Sequence, residues 1–229
     1  MEIHGGHRQR MKDRFMDHGL DNFSDHNVLE LLLFFAMPRR DVNPLAHKLI
    51  NHFGSLAAVF DANREELMKI DGIGDNTATL IMLIPSISRR YMMSRTSFDN
   101  MLHTTSDLGN YLLPRFIGLR EEVVYLICLD SKNKAISCTL VSKGSVNAAH
   151  VSTRSILETA LNHNASSVVL SHNHISGIAV PSAEDIVTTK QLFSILSAAG
   201  IYFRDHIIVA DNDYISLRDS DPTHQIFLE

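Results

Sequence analysis

The stretch 168–185 constrains the fold of this chain more than any other. An apolar run, 168–170, leads directly into a pair of histidines one residue apart, and a helical pattern follows. This order predicts a strand that ends at His172 and His174, then a loop, then a helix with Asp185 in its first turn. All three side chains can turn toward one point. Three nitrogen and oxygen ligands with a fourth position open are typical of a catalytic zinc site rather than a structural one.

The spacing of these residues reads His-x-His-x7-Ser-x2-Asp, with Ser182 supplying the serine. It resembles the JAMM motif of MPN-domain metalloproteases, and the residues His-Asn-His-x-Ser-Gly followed by Pro-Ser-x-x-Asp resemble the RadC family in particular. The chain has 13 histidines, so the serine and aspartate at fixed offsets carry the specificity. Ile175 departs from the family, which usually has proline there, but the change removes no ligand. The resemblance implies a Zn²⁺ cofactor held by His172, His174 and Asp185.

The resemblance also implies two catalytic residues. In the MPN metalloproteases, a glutamate on the first strand of the domain takes a proton from water and gives it to the leaving amine. Glu122 matches that position best, and Glu121 is the alternative. Ser182 would donate to the oxyanion, although its place ahead of a helix equally predicts an N-cap. Glu158 is excluded because the middle of its helix is expected to lie away from the metal and its side chain to point away from the buried face that carries Ile156.

Other polar residues near the motif are interpreted as structural. Asn173 points to the opposite face of the strand from its neighbours. Asp205-His206 resembles the family pattern, and an imidazole there could support a metal ligand, but packing in the core is favoured. His150 and His163 are interpreted as surface histidines.

Residues 1–95 show helical periodicity and resemble the N-terminal all-α region common in RadC-type proteins. Within 54–84, the turn Gly72-Ile73-Gly74 between two helices resembles a helix-hairpin-helix, in which glycines leave backbone amides accessible to phosphate. Asp75 stands where a basic residue is usual. Weak DNA contact through this turn and a purely structural hairpin both stay open.

The second half of the chain changes from helical to strand patterns. Apolar periodicity is lost over 89–105, which predicts a linker. The order beyond it predicts a three-layer α/β domain over 101–229, an α+β fold with a mixed sheet, and the resemblance implies that this is an MPN (JAB1-like) zinc domain. Its expected elements are an entry helix near 108–113, a hairpin of strands 123–130 and 135–141, a loop at 144–147, a helix from His150 to Asn164, a strand at 167–170, a helix at 183–199 and strands at 201–203, 206–209 and 214–217.

Charge, cysteine usage and apolar runs limit the function classes. The net charge is −5, and neither half has the basic excess of a strong duplex binder. The longest apolar run, 31–37, is too short to cross a bilayer, and the N-terminus has no signal-peptide pattern. Cys128 and Cys138 lie in strand-like runs, which favours reduced core thiols. We expect a cytoplasmic protein.

The activity that the resemblance implies is zinc-dependent hydrolysis of an amide bond in a peptide or isopeptide-linked protein. One alternative is a DNA-associated protein, a binder or nuclease linked to repair or recombination, which the acidic charge disfavours. Another is a non-catalytic interaction module, which has no reason to keep an intact set of ligands.

Overall fold

The chain divides into two compact units, Met1–Ile87 and Ser88–Glu229. Among the residues that the structure describes, no helix combines the length and apolar character that a membrane span needs. The computed structural model describes residues 5–95, 101–144, 152–221 and 226–227.

The first unit is helical, and the sequence explains where its helices begin. Pro44 occupies the first turn of the third helix, where its missing N–H costs nothing. Asn63 caps the fifth helix in a reciprocal capping box with Glu66, with both backbone-to-side-chain hydrogen bonds at 2.8 Å. Buried aliphatic residues from these helices form one core. The helices are α1 Gly5–His18, α2 Asp25–Ala36, α3 Asn43–Phe53, α4 Leu56–Asp61, α5 Arg64–Met68 and α6 Asp75–Arg95, the last of which continues past the end of this unit at Ile87.

The predicted turn between two helices connects α5 to α6. Ile70 and Ile73 are buried on its inner side, and Gly72 has a φ of 101°, a left-handed conformation that favours glycine. The predicted linker at 89–105 is wrong in its first part, since α6 continues as a helix to Arg95. Residues 96–100 lie outside the described part of the chain.

The second unit is built on a five-stranded mixed sheet in the order β2-β1-β3-β4-β5. The central strand, β3, pairs antiparallel with β1 and parallel with β4. The carboxyl end of β3 therefore lies at the same edge of the sheet as the start of β1. The elements are α7 Thr105–Phe116, β1 Val123–Leu129, β2 Ala135–Lys143, α8 Thr153–Asn162, β3 Ser167–Asn173, α9 Ala183–Ala198, β4 Tyr202–Ala210, β5 Asp213–Ser216 and α10 Leu217–Ser220.

Helices cover both faces of this sheet, which confirms the predicted three-layer α+β fold. Residues of α7, such as Leu112, pack with Ile127 and Val169 on one face. Residues of α8 and α9, such as Ile156 and Leu192, pack with the other face. This explains why β1 reads as a nearly continuous apolar run.

Several boundaries differ from the prediction. The two strands expected at 201–203 and 206–209 are the single strand β4, because Asp205 is buried and accepts hydrogen bonds from Ser216 Oγ (2.6 Å) and Arg218 N (3.1 Å). A polar residue satisfied in this way can continue a strand that its sequence seems to interrupt. Leu217, expected in the last strand, begins α10. The predicted helix start at His150 and most of the preceding loop lie outside the described residues.

Candidate metal centre

The carboxyl end of β3 and the first turn of α9 bring the three predicted metal ligands together. His172 is the penultimate residue of β3, and His174 follows the strand, with its backbone N–H donating to Val209 O at 2.8 Å. That bond extends the ladder with β4 beyond the strand and fixes where the second histidine lies. Asp185 is the third residue of α9. One donor atom from each of the three side chains lies within 4.8 Å of the others.

The separations in this cluster are close to those of zinc ligands, with each imidazole nearest to a different oxygen of Asp185. His172 Nε2 lies 3.0 Å from His174 Nε2 and 3.2 Å from Asp185 Oδ1, and His174 Nε2 lies 3.4 Å from Asp185 Oδ2. Zinc ligands at about 2.0–2.1 Å in tetrahedral geometry are separated from one another by about 3.3 Å. The donors are also of the type that zinc takes, two imidazole nitrogens and a carboxylate. The residues present therefore fit a zinc ion.

The cluster is buried on one side and accessible on the other. The side chains of His172 and Asp185 are each 2% exposed, whereas that of His174 is 16% exposed. The Nδ1 of His174 lies 3.3 Å from the carbonyl oxygen of Ile178. A carbonyl can only accept, so this Nδ1 carries the proton and the lone pair of Nε2 faces the cluster. Access from solvent is on the His174 side.

Hydrogen bonds from Ser182 orient the aspartate. Asp185 Oδ2 accepts from Ser182 Oγ at 2.6 Å and from Ser182 N at 2.8 Å, and Asp185 N donates to Ser182 Oγ at 3.1 Å. Burial raises the pKa of Asp185, but the hydrogen bond and charge of His172, together with the bonds from Ser182, outweigh it and hold this pKa well below its usual range. The carboxylate is thus ionised and ready to bind a cation.

Ser182 is the N-cap of α9 in a reciprocal capping box. This is the structural interpretation that its position in the sequence allowed. Its hydroxyl proton goes to the aspartate in this arrangement, so its part in catalysis stays a prediction.

The start of β1 lies beside the cluster and carries both candidate glutamates. Val124 pairs with His172 in the antiparallel ladder, which places Glu122 near the end of β3. Glu122 is half-buried, and no hydrogen bond or ion pair among the described residues engages its carboxylate. Glu121 is exposed and its Oε1 lies 2.9 Å from Lys143 Nζ.

Asn173 binds the segment that carries these glutamates. Its Oδ1 accepts from the backbone N–H of Val123 at 2.8 Å, and its Nδ2 donates to the carbonyl oxygen of Glu121 at 3.2 Å. The two bonds hold the backbone immediately before and after Glu122. The structural interpretation of Asn173 is therefore sound, and the structure adds what it holds.

Glu158 lies on the exposed face of α8, where its Oε1 accepts from Arg154 Nε at 2.6 Å. Its exclusion from the site agrees with this position. His163 is half-exposed at the end of the same helix.

His206 contacts the cluster, so the favoured interpretation as core packing is wrong and the alternative, an imidazole that supports a predicted ligand, agrees with its position. It is fully buried, and its Nε2 lies 2.9 Å from His172 Nδ1. Its other ring nitrogen, Nδ1, lies 2.7 Å from the Oγ1 of Thr189, which donates to the carbonyl oxygen of Asp185 at 2.6 Å. Burial, followed by repulsion from His172, lowers the pKa of His206 well below its usual value.

Thr189 was missed from the sequence. The helical spacing could have indicated it, because Thr189 follows Asp185 by four residues and therefore lies on the same face of α9.

Comparison with known proteins agrees with this architecture. Residues 102–222 match the family model described as "RadC-like JAB domain", and residues 6–79 match the one described as "UPF0758 N-terminal". The chain belongs to the RadC family. A curated relative from Fusobacterium nucleatum subsp. nucleatum, "UPF0758 protein FN0909", is 35% identical over 218 residues, which cover 92% of this chain and 94% of the relative. This RadC-family chain therefore consists of an N-terminal helical region and a JAB/MPN-like domain that contains the cluster.

The hairpin of the N-terminal region has a feature that bears on nucleic-acid contact. Asp75, the acidic residue after the second glycine, accepts from Arg64 Nε at 2.7 Å and lies 2.7 Å from its Nη2. The pair is exposed and its charges offset each other, whereas the guanidinium of Arg40, also exposed, lies beside Gly72. DNA contact through Gly72-Ile73-Gly74 stays a prediction.

Proposed function

We propose that this RadC-family chain is a zinc-dependent metallohydrolase that cleaves amide bonds in peptides or in isopeptide-linked proteins. The observation that supports it is the convergence of His172, His174 and Asp185 at spacings of 3.0–3.4 Å, with solvent access beside His174. A structural zinc site would have a fourth protein ligand and no accessible position. Within the described residues, the donor group contains these three.

His172, His174 and Asp185 would hold the ion, since each presents an oxygen or nitrogen lone pair to the same point. A bound zinc would supply Lewis acidity, which lowers the pKa of water toward neutrality and polarises a carbonyl group.

Glu122 is the group that we assign to proton transfer. Val124 lies on the same face of the sheet as His172, and alternation along the pleat brings the side chain two residues earlier to that face. Glu121 falls on the opposite face and pairs with Lys143, which is the partner of Val123 in the ladder. A half-buried carboxylate without a described partner can take a proton from water and deliver it to a leaving amine.

Ser182 has two parts in this proposal. Its hydroxyl and backbone N–H orient Asp185, and the same hydroxyl lies beside the cluster, where it can reorient to donate to a developing oxyanion. Substitution of Ser182 by Ala should therefore affect both metal affinity and turnover.

The first test is elemental analysis of the full chain purified without chelator. We expect about one zinc per chain, lost in His172→Ala and kept in His163→Ala, which removes a histidine of the same domain away from the cluster. Absence of zinc from the wild type, with none taken up on addition, would refute the proposal.

The second test separates catalysis from metal binding. Glu122→Gln should keep the zinc and abolish cleavage of quenched-fluorescence peptide and isopeptide libraries, whereas Glu121→Gln should retain both. An unchanged rate in Glu122→Gln would contradict the assignment. If the zinc-loaded wild type cleaves neither library but binds DNA with an affinity that falls with salt, the DNA-associated alternative is favoured.

A further inference from the structure

A buried chain of hydrogen bonds leads from α9 through β4 to one metal ligand. It starts at the carbonyl oxygen of Asp185, passes through Thr189 Oγ1 and both ring nitrogens of His206, and ends at His172 Nδ1, with successive distances of 2.6, 2.7 and 2.9 Å. Thr189 and His206 are fully buried and His172 is 2% exposed. The chain therefore lies out of reach of bulk water.

The direction of every bond in this chain follows from its first member. A carbonyl oxygen can only accept, so the single hydroxyl proton of Thr189 is donated to Asp185 O. Toward His206, the hydroxyl oxygen must then act as acceptor, and His206 Nδ1 carries the proton. A neutral imidazole with a proton on Nδ1 has a lone pair on Nε2. The bond to His172 is thus donated by His172 Nδ1.

We infer that Thr189 and His206 act as positioning residues that keep a proton on His172 Nδ1, so that Nε2 is the nitrogen left to bind a metal ion. The inference rests on the metal site of the proposed function and does not depend on which bond is hydrolysed. His174 reaches the same tautomer by a shorter route, through the carbonyl of Ile178. Each histidine then turns Nε2 toward the cluster, and a bound ion would take the place of the proton that His172 Nε2 shares with Asp185.

The neutral state of His206 has a structural basis. The side chain is enclosed between α9 and β4, and its two ring nitrogens contact a hydroxyl and another imidazole rather than a carboxylate. Asp205, which directly precedes His206, does not bond to the imidazole. Its carboxylate accepts from the backbone N–H of His206 at 2.7 Å and from the Ser216 hydroxyl. Burial of a cation without a paired anion is costly, so the neutral form is the one that is enclosed.

Loss of the Thr189 hydroxyl should let the chain reverse. His206 Nδ1–H would have no acceptor, and the proton could move to Nε2 instead. His206 would then donate to His172 Nδ1, which leaves the His172 proton on Nε2, where it points into the cluster and blocks the ligand lone pair. Removal of partners that orient a ligating histidine typically weakens metal affinity by about 10- to 100-fold.

The experiment uses the full chain in four forms: wild type, Thr189→Val, Thr189→Ser and Thr188→Val. Valine matches threonine in shape without the hydroxyl, and serine restores the hydroxyl. Thr188 is the matched control, since it is a buried threonine (8% exposed) at the neighbouring position of the same helix. Two quantities are measured. The first is the Zn²⁺ dissociation constant, by competition with a chelating dye. The second is whether His172 Nδ1 carries a proton in the metal-free chain, read from long-range ¹H–¹⁵N spectra that are assigned with His172→Gln and His206→Gln.

The expected result is a proton on His172 Nδ1 in the wild type, Thr189→Ser and Thr188→Val, with Zn²⁺ affinity at the wild-type level in all three. In Thr189→Val, His172 Nδ1 should lose its proton in part or in full, and Zn²⁺ should bind about 10- to 100-fold more weakly. A fully retained Nδ1 proton in Thr189→Val, or an equal loss of affinity in Thr189→Ser, would overturn the inference. Because the Nδ1 proton is read without metal, a wild type that binds no zinc would refute the proposed function, while the spectra would still decide the role of Thr189 and His206.

Discussion

Substitution of Asn173 by alanine tests how the start of β1 is held beside the cluster of His172, His174 and Asp185. The side chain accepts from Val123 N at 2.8 Å and donates to Glu121 O at 3.2 Å, so the substitution removes both bonds at once. The N–H of Val123 would then lie in a buried residue, 2% exposed, without its partner. Glu121 is exposed, and water can replace the bond to its carbonyl.

The cost of Asn173→Ala follows from this asymmetry. A buried donor without a partner costs about 1–3 kcal/mol, while the bond at the exposed carbonyl contributes little once water replaces it. We expect a loss of about 2 kcal/mol, felt first at the start of β1. A change of that size corresponds to a factor of about 30 in the local opening equilibrium.

Hydrogen exchange of the Val123 amide measures the effect of Asn173→Ala directly, because it reports local opening at that residue. Global unfolding is less suitable, because a chain with two compact units need not unfold in a single transition. Exchange should accelerate about 30-fold at Val123, and the variant should also lose hydrolysis more than zinc affinity because Glu122 is no longer held. Asn162→Ala, at an exposed position of α8, is the control and should leave Val123 unchanged. Val123 exchange at the wild-type rate in Asn173→Ala would refute the argument.

Two further predictions concern the packing of α7. Gly109→Ala should destabilise the second unit by about 1–3 kcal/mol in urea unfolding, because the added Cβ would lie 2.2 Å from Tyr214 Cζ; a change below 0.5 kcal/mol would contradict this close approach. Burial, and then the charge of Cys138, raises the pKa of Tyr111 to about 12. The neutral side chain therefore stabilises the fold fully below about pH 10, the ordinary pKa that Tyr111 has in the unfolded chain, and this stabilisation is lost between about pH 10 and 12. In Tyr111→Phe, the free energy of unfolding should fall less steeply with pH over that window, by up to about 1.4 kcal/mol per pH unit. If the free energy of unfolding depends on pH equally in the two proteins, Tyr111 titrates normally and the reasoning is refuted.

The sequence was most informative where the residues of a feature lie close together in the chain. His172, His174 and Asp185 belong to one strand–loop–helix segment, so the motif spacing and the local periodicity together predicted that they would converge. The three-layer fold was predictable for the same reason, because each strand and helix carries its own apolar pattern.

The features that the sequence did not predict, or left between two alternatives as for His206, depend on register between distant segments. His206 reaches His172 only because β3 and β4 pair in parallel with Leu170 opposite His206. The continuity of β4 depends on Asp205 being satisfied by Ser216 from the next strand. Periodicity within a segment does not specify which residues of another strand or helix it will meet.

The order of the sheet has a consequence for how this site can change. The proposed metal ligands come from one continuous segment at the end of β3, whereas the proposed proton-transfer group comes from β1, across an antiparallel pair. Under the proposed function, ion binding and proton transfer are therefore carried by separate parts of the chain. A descendant of this protein that altered only the start of β1 would keep the ligands for an ion and lose the proton-transfer group. In such a protein a bound ion would serve as a brace between β3 and α9, and a metal-binding RadC-family protein without activity would need no change to any ligand.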